Sequence, residues 1–339
     1  MAGRGNGGAE TYAADMVLAL HAVGVGQTAV WHPEQARLSA LCGAGVLVAP
    51  DILRQKLRFL QRAALAHLLA TVRPDLIHCW MRRAAAIVPP GVTVPVIGWF
   101  GGYYDVRHFK SCRHFIGVTP DIVAHQRAHG VPQERSHFIP TFPTLDLAPA
   151  LDRTALDTPT DAKILLALSR LHPKKGLDVL LRALAQLPDC YLWLAGDGPL
   201  LPELRRLAAQ LGVRDRVRFL GWRRDRGALL RAADICVLPS RYEPFGTVML
   251  EAWAAHVPLV AAAAAGPAAF VRHGENGMLV PVDDAAALTQ ALRQVLDRPA
   301  LRAALCAGGR ATYEAQFTRS AVTRQMHALY EKILAEPRG

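Results

Sequence analysis

The chain has 339 residues, of which 51% are hydrophobic and 20% charged, with a formal net charge of +11. This length and composition suit two globular domains, each able to bury a core, and exclude a disordered chain. No apolar run reaches the roughly 18 residues of a membrane span, and the opening MAGRGNGGAE lacks the apolar core of a secretory signal.

The six cysteines form no CxxC pair. That argues against a zinc site or a disulfide framework and fits a reducing cytoplasm. The charge is local: residues 37–113 hold eleven Lys and Arg against three acids (Asp51, Asp75 and Asp105), an excess of +8. Such a stretch suits an anionic partner, either a membrane surface or a phosphorylated glycolipid. No nucleic-acid motif accompanies it, so nucleic acid is not expected as a partner.

In chain order, Gly3-x-Gly5-x-x-Gly8 has the spacing of a dinucleotide-binding turn, but that turn must follow a strand and only two residues precede it. A nicotinamide-dependent oxidoreductase rests on these glycines alone and is set aside. A helix is expected over 10–22 and a strand over 27–31. Residues 51–71 read as one amphipathic helix, with Leu53, Leu57, Leu60, Ala64 and Leu68 on an apolar face. Arg54, Arg58 and Arg62, each four apart, form a basic stripe on another face. The stripe suits either contact with an anionic bilayer or a solvated surface. Strands are expected over 73–80 and over 94–105, the latter ending in a Gly-Gly loop. A strand–helix–strand unit follows over 115–141. Pro140, Pro143, Pro149 and Pro159 mark a linker. Residues 162–184 then read as an apolar strand, a loop bracketed by Arg170 and Lys175, and a helix. Further strands are expected at 190–199 and 216–222.

The most informative stretch runs from Pro239 to Pro258. Ile235, Val237 and Leu238 precede it as a buried strand, and the Gly-containing loop RYEPFG leads into TVMLEAWAA, which has no Gly or Pro and suits a helix. The first backbone N–H groups of such a helix are unpaired and partially positive, so phosphate oxygens bind well there. Glu243 and Glu251 flank the site. An ionised carboxylate only accepts hydrogen bonds and can take two from a vicinal diol, so the pair suits hydroxyls rather than phosphate. The chemistry implied is a diphosphate with a sugar at each end. The alternative is that both carboxylates merely complement a helix N-terminus.

Glu243-Pro-Phe-Gly246 followed by Glu251 resembles the E-x7-E signature of retaining glycosyltransferases of the GT-B fold, family 4. Similar segments occur in family order over nearly the whole chain. Gly7-Gly8-Ala9-Glu10 resembles the GGAE loop, whose glycines let backbone approach donor and acceptor. Residues 73–80 resemble the PDxxHxH segment, and residues 169–176 the G-R-x-x-x-x-K-G segment, with Ser169 where Gly is usual. The chain departs from the pattern in three places. No apolar first strand precedes the GGAE loop, so either the start is displaced or the sheet is one strand short. Gly101 stands where His is frequent; His78 could substitute for it, although a lone histidine at a strand end is more often structural. Ala269 stands where Glu is common.

The resemblance implies an α/β architecture of two Rossmann-like domains facing a cleft: 1–147 for the acceptor, 148–318 for the nucleotide-sugar, and a helix within 319–339 crossing back to the first. It implies transfer of a sugar, with retention, from a nucleotide diphosphate-sugar to a hydroxyl of a saccharide or glycolipid acceptor. The setting would be bacterial surface polysaccharide or lipopolysaccharide synthesis, in the cytoplasm or peripherally on the cytoplasmic face of the inner membrane. Arg170, Lys175 and Glu243 are the expected catalytic residues. Gly7, Gly8, Phe245, Gly246, Thr247, Val248 and Glu251 are expected to bind the donor. With no D-x-D pair in the chain, no divalent metal is expected, and no cofactor beyond the donor substrate. A non-catalytic nucleotide-sugar or glycan-binding protein is the alternative.

Overall fold

The computed structural model describes residues 8–35, 37–146 and 148–337. The chain divides into two compact units, one comprising residues up to Phe142 together with those from Arg319, the other running from Pro143 to Thr318. The division thus falls inside the proline-punctuated stretch, and the C-terminal helix Arg319–Leu334 belongs with the N-terminal unit, packed against α1 (Gly8–Ala22).

In the N-terminal unit, β1 (Thr28–Ala29) pairs in parallel with β2 (Leu47–Val48). A separate parallel sheet runs in the order β3 (Ile77–Trp80), β4 (Val96–Phe100), β5 (His114–Gly117), β6 (Ser136–Phe138). All five residues of β4 are buried, as a parallel strand covered on both faces requires. The helices are α2 (Leu38–Gly43), α3 (Asp51–Arg54), α4 (Arg58–Val72), α5 (Met81–Ala85) and α6 (Pro120–Ala128). Thr119 caps α6 by accepting from the Ile122 N–H at 3.1 Å, with Pro120 at the first turn where no donor is lost.

The single helix expected over 51–71 is broken, since Gln55 and Leu57 are extended. Leu53 and Leu65 share one small core with Ile52 and Ile87. In a continuous helix twelve residues separate the two leucines by about 18 Å, too far to meet. The break brings them together and turns the intervening residues outward. Leu57, Phe59 and Leu60 are therefore 53%, 65% and 39% exposed instead of forming a buried face. The basic stripe is divided as well: Arg54 pairs with Asp51 at 3.2 Å on α3, while Arg62 on α4 donates to the Ala86 carbonyl at 3.0 Å.

The second unit is a six-stranded parallel sheet in the order β12-β11-β10-β7-β8-β9. Its strands are β7 (Lys163–Leu168), β8 (Cys190–Ala195), β9 (Val217–Gly221), β10 (Ile235–Leu238), β11 (Leu259–Ala262) and β12 (Met278–Val280). Helices α7 (Leu177–Ala185), α8 (Leu201–Gln210), α9 (Arg226–Ala232), α10 (Thr247–Ala254), α11 (Ala265–Phe270), α12 (Ala285–Asp297) and α13 (Pro299–Gln316) accompany it. Leu165, Leu180, Leu192, Ile235 and Leu292 lie in its main core. The chain builds outward from β7 through β8 to β9, then returns to the other side of β7 for β10, β11 and β12. The strand order reverses between β7 and β10, and in open parallel sheets ligands bind at the carboxyl ends of the strands flanking that point. No helix among the described residues is long and apolar enough to cross a membrane.

Candidate functional site

The loops after β7 and β10 carry most of the residues singled out by sequence. After β7 the chain runs through Arg170 to a short 3-10 turn, Pro173–Lys175, capped by the His172 ring, which accepts from the Lys174 N–H at 3.2 Å. Gly176 ends this turn at φ +60°, where a Cβ would lie 2.0 Å from the Pro239 carbonyl oxygen. Only glycine combines that backbone with that approach, so Gly176 holds the two loops together. The Arg241 and Tyr242 N–H groups both donate to the Lys174 carbonyl, at 2.9 and 3.1 Å. The Arg241 guanidinium binds Asp178 at the start of α7 through two 2.7 Å hydrogen bonds and also pairs with Asp283.

These ties place Lys175 against Glu243, with Nζ 2.5 Å from Oε2, and the Ser240 hydroxyl donates to the same oxygen at 3.3 Å. Both side chains of the ion pair are largely buried, at 17% and 14% exposure. The loop ends at Gly246, φ +89°, which reverses the chain into α10. Thr247 and Val248 form the half-buried first turn, and their N–H groups are among those a helix leaves without an internal partner. Phe245 is buried against Phe270 and Phe317. It therefore supports the loop from beneath. Arg170 is exposed on the loop after β7, whose backbone is held by the Ser169 and Leu171 N–H groups donating to Ala195 and Asp197.

Glu251 is 2% exposed on the inner side of α10. Arg226 of α9 donates to Oε1 and also to the Thr144 carbonyl, at 3.2 Å for the latter. Oε2 is buried and has no hydrogen-bond partner among the described residues. Burial pushes the Glu251 carboxyl up to about 7, a rise that Arg226 only partly offsets. The same burial, with Glu251 nearby, pushes the Cys236 thiol up. One oxygen of Glu251 is thus held by protein and the other has unused accepting capacity in a dry setting.

Sequence reasoning missed Arg226, Ser240, Arg241 and Asp178. Arg226 precedes its partner by 25 residues with no motif to connect them, and only the packing of α9 against α10 joins the two. In the N-terminal unit, Gly7 lies outside the described residues. Gly8 is not part of a loop but begins α1, and a Cβ placed on it would have nothing within 4 Å. Among the described residues, nothing in its surroundings requires a glycine. His78 is bound at Nδ1 to the Tyr330 hydroxyl at 2.6 Å and stacks on Trp80, and burial lowers its pKa to about 3. It is a neutral, packed imidazole. A side chain at Gly101 would begin 2.4 Å from the Trp99 ring, which explains why no histidine occupies that position.

Residues 150–312 match the family model of glycosyl transferases group 1. The chain is 35% identical to the lipopolysaccharide core biosynthesis glycosyltransferase LpsE of Rhizobium meliloti (strain 1021), over 94% of each protein. It is 33% identical to LpsD of the same organism, over 97% of this chain and 96% of the relative. Among solved structures, Anabaena HepE in complex with UDP-glucose superposes with a TM-score of 0.83 at 22% identity, covering 97% of both chains. The fold is that of the GT-B glycosyltransferases. The chain belongs to the group 1 glycosyltransferase family and is a sugar-transferring enzyme.

Proposed function

We propose that the enzyme transfers a sugar from a nucleotide diphosphate-sugar to a hydroxyl of a lipopolysaccharide core acceptor, with retention of anomeric configuration. The observation that carries this reading is the juxtaposition of Lys175, Glu243 and the N-terminus of α10 at the β7/β10 reversal. Full-length similarity to two lipopolysaccharide core glycosyltransferases supports the acceptor. The N–H groups of Thr247 and Val248, with Lys175 and Arg170, would receive the diphosphate. Glu251 Oε2 would accept from the ribose hydroxyls, and Glu243 from hydroxyls of the transferred sugar. As the anomeric C–O bond breaks, charge grows on the leaving diphosphate beside these groups, which stabilise it. The acceptor oxygen bonds to the anomeric carbon and its proton passes to the leaving phosphate. No divalent metal takes part in this reading.

The test incubates the enzyme with a panel of nucleotide diphosphate-sugars and truncated lipopolysaccharide, following product by mass and its anomeric configuration by NMR. One donor should support transfer with retention, at full rate after exhaustive EDTA treatment. An inverted product, or a rate restored by manganese, would contradict those parts of the proposal.

The proposal extends to peripheral attachment at an anionic membrane. Residues 54–60 present Leu57, Phe59 and Leu60 to solvent beside Arg54, Lys56 and Arg58. Exposed apolar side chains interleaved with cations suit shallow insertion among anionic headgroups. Each cation near such a surface contributes about 1 kcal/mol, screened by salt. Co-sedimentation with anionic liposomes is expected at low salt and should fade at high salt. It should drop both in the triple Arg54, Arg58, Arg62→Glu variant and in Phe59→Ser. Protein that stays in the supernatant at low salt would rule the attachment out.

A further inference from the structure

The thiols of Cys79 and Cys112 meet on one face of the N-terminal sheet, and the missing side chain of Gly98 is what admits them. Cys79 of β3 stands in register with Gly98 of β4. In-register residues of parallel neighbours project to the same face, on strands about 4.8 Å apart. The space above Gly98 is filled by the crossover between β4 and β5. A Cβ built on Gly98 would lie 3.1 Å from Cys112 Sγ, 3.4 Å from Cys112 Cβ and 2.9 Å from the Phe109 ring. Cys112 thus takes the place of a side chain beside Cys79, and its thiol donates a hydrogen bond to the Cys79 sulfur.

Backbone bonds hold Cys112 in that position. Its N–H donates to the Phe109 carbonyl at 2.8 Å, and the Arg113 N–H donates to the Val96 carbonyl of β4 at 2.8 Å. Cys79 is 2% exposed while Cys112 is half-buried, so a small solute reaches Cys112 first. Both are free thiols. Thiols already in contact on a fixed backbone need little movement to form an S–S bond of about 2 Å. The remaining cysteines are Cys42, exposed on α2, and Cys190, Cys236 and Cys306 of the second unit.

We propose that Cys79 and Cys112 form a reversible redox site, closed to a disulfide by hydrogen peroxide and reopened by a thiol reductant. Cys112 Sγ attacks the peroxide, whose O–O bond breaks, giving a sulfenic acid and one water. Cys79 Sγ then attacks the Cys112 sulfur, the S–O bond breaks and a second water leaves. In total the two thiols lose two electrons and two protons, and the peroxide is reduced to two waters. A dithiol reverses the closure by exchange through a mixed disulfide. Burial and the bond to Cys79 favour the protonated form of Cys112. Because the thiolate is the nucleophile, closure is slow and answers sustained rather than brief exposure to oxidant. The disulfide ties β3 to the end of the crossover that precedes β5, and so cross-links the N-terminal unit. It stands apart from the transfer reaction.

The test incubates the folded chain with hydrogen peroxide for hours, blocks the remaining thiols and maps the peptides by mass. A peptide pair joined through Cys79 and Cys112 should appear, and dithiothreitol should separate it. Joining should be roughly tenfold faster or more in the folded protein than in guanidinium, where the two thiols are no longer held together. Tm of the oxidised protein should rise by about 5–10 °C, because the bond constrains the unfolded chain. Cys112→Ser should abolish the link and the rise, and Cys42→Ser should keep both. Should Cys112→Ser fold poorly, the peptide map of the parent protein decides alone. A map in which Cys112 is carried to sulfinic acid without the Cys79–Cys112 pair overturns the proposal. So does a link that forms no faster in the folded protein than in the unfolded one.

Discussion

Replacing Lys175 with alanine should lower kcat by roughly a hundredfold, the effect of losing one preorganised charge-stabilising group in a water-poor site. KM for the donor should change less, because charge on the diphosphate grows between ground state and transition state. The ion pair with Glu243 makes a control necessary. Breaking a buried pair by removing one partner costs about 3–5 kcal/mol, and less here because Ser240 still donates to Glu243. Lys175→Ala should therefore also lower Tm. The double variant Lys175→Ala, Glu243→Gln removes the stranded charge and should recover much of Tm without recovering kcat. Steady-state kinetics with a melting curve on the same samples checks this. A rate that recovers together with Tm would reduce Lys175 to a structural partner of Glu243.

Glu251 is expected to trade stability for binding. Its folded-state pKa of about 7 lies above the ordinary glutamate value of 4.5. At pH values below 4.5 the carboxyl is neutral in both folded and unfolded protein and carries no penalty. As pH rises from 4.5 to 7 the unfolded chain releases the proton first, so stability falls through that window and then levels off. The loss is about 3 kcal/mol, at about 1.36 kcal/mol for each pH unit between the two values. Glu251→Gln keeps an acceptor for Arg226 but cannot ionise, so at about pH 8, above that window, it should melt above the parent protein. The same variant should bind the preferred nucleotide diphosphate at least tenfold more weakly, because hydrogen bonds to a charged acceptor contribute about 1.5–3 kcal/mol each. In the parent protein, nucleotide affinity should rise between about pH 6 and pH 8 as the carboxylate forms. Calorimetric titration across that range decides the matter, and a pH-independent affinity equal in both proteins would remove Glu251 from the site.

What the sequence by itself determined is the part governed by neighbours along the chain. The apolar run of Ile235–Leu238, the glycine at 246 and the Gly- and Pro-free helix after it specify strand, reversal and helix locally. The helix N-terminus follows from them without reference to any other segment. The same holds for β7 and its basic loop, where Gly176 ends the turn before α7. Local pattern failed where a distant contact decided the outcome. Periodicity over 51–71 specifies a helix, but Leu65 and Ile87 draw Leu53 into a core that a straight helix cannot reach, so the chain breaks and exposes Leu57 and Phe59. Resemblance to the GGAE loop placed Gly8 in a loop, yet it opens α1, because glycine permits a loop without requiring one. His78 reads in sequence as a structural histidine rather than a catalytic one, and it is neutral and bound in the fold, but its partner Tyr330, from a helix 252 residues away, is visible only in the structure. The burial of Glu251, its pairing with Arg226 and the lack of a partner for Oε2 among the described residues likewise arise from helix packing. That packing sets the ionisation of the carboxylate, a quantity that no residue spacing encodes.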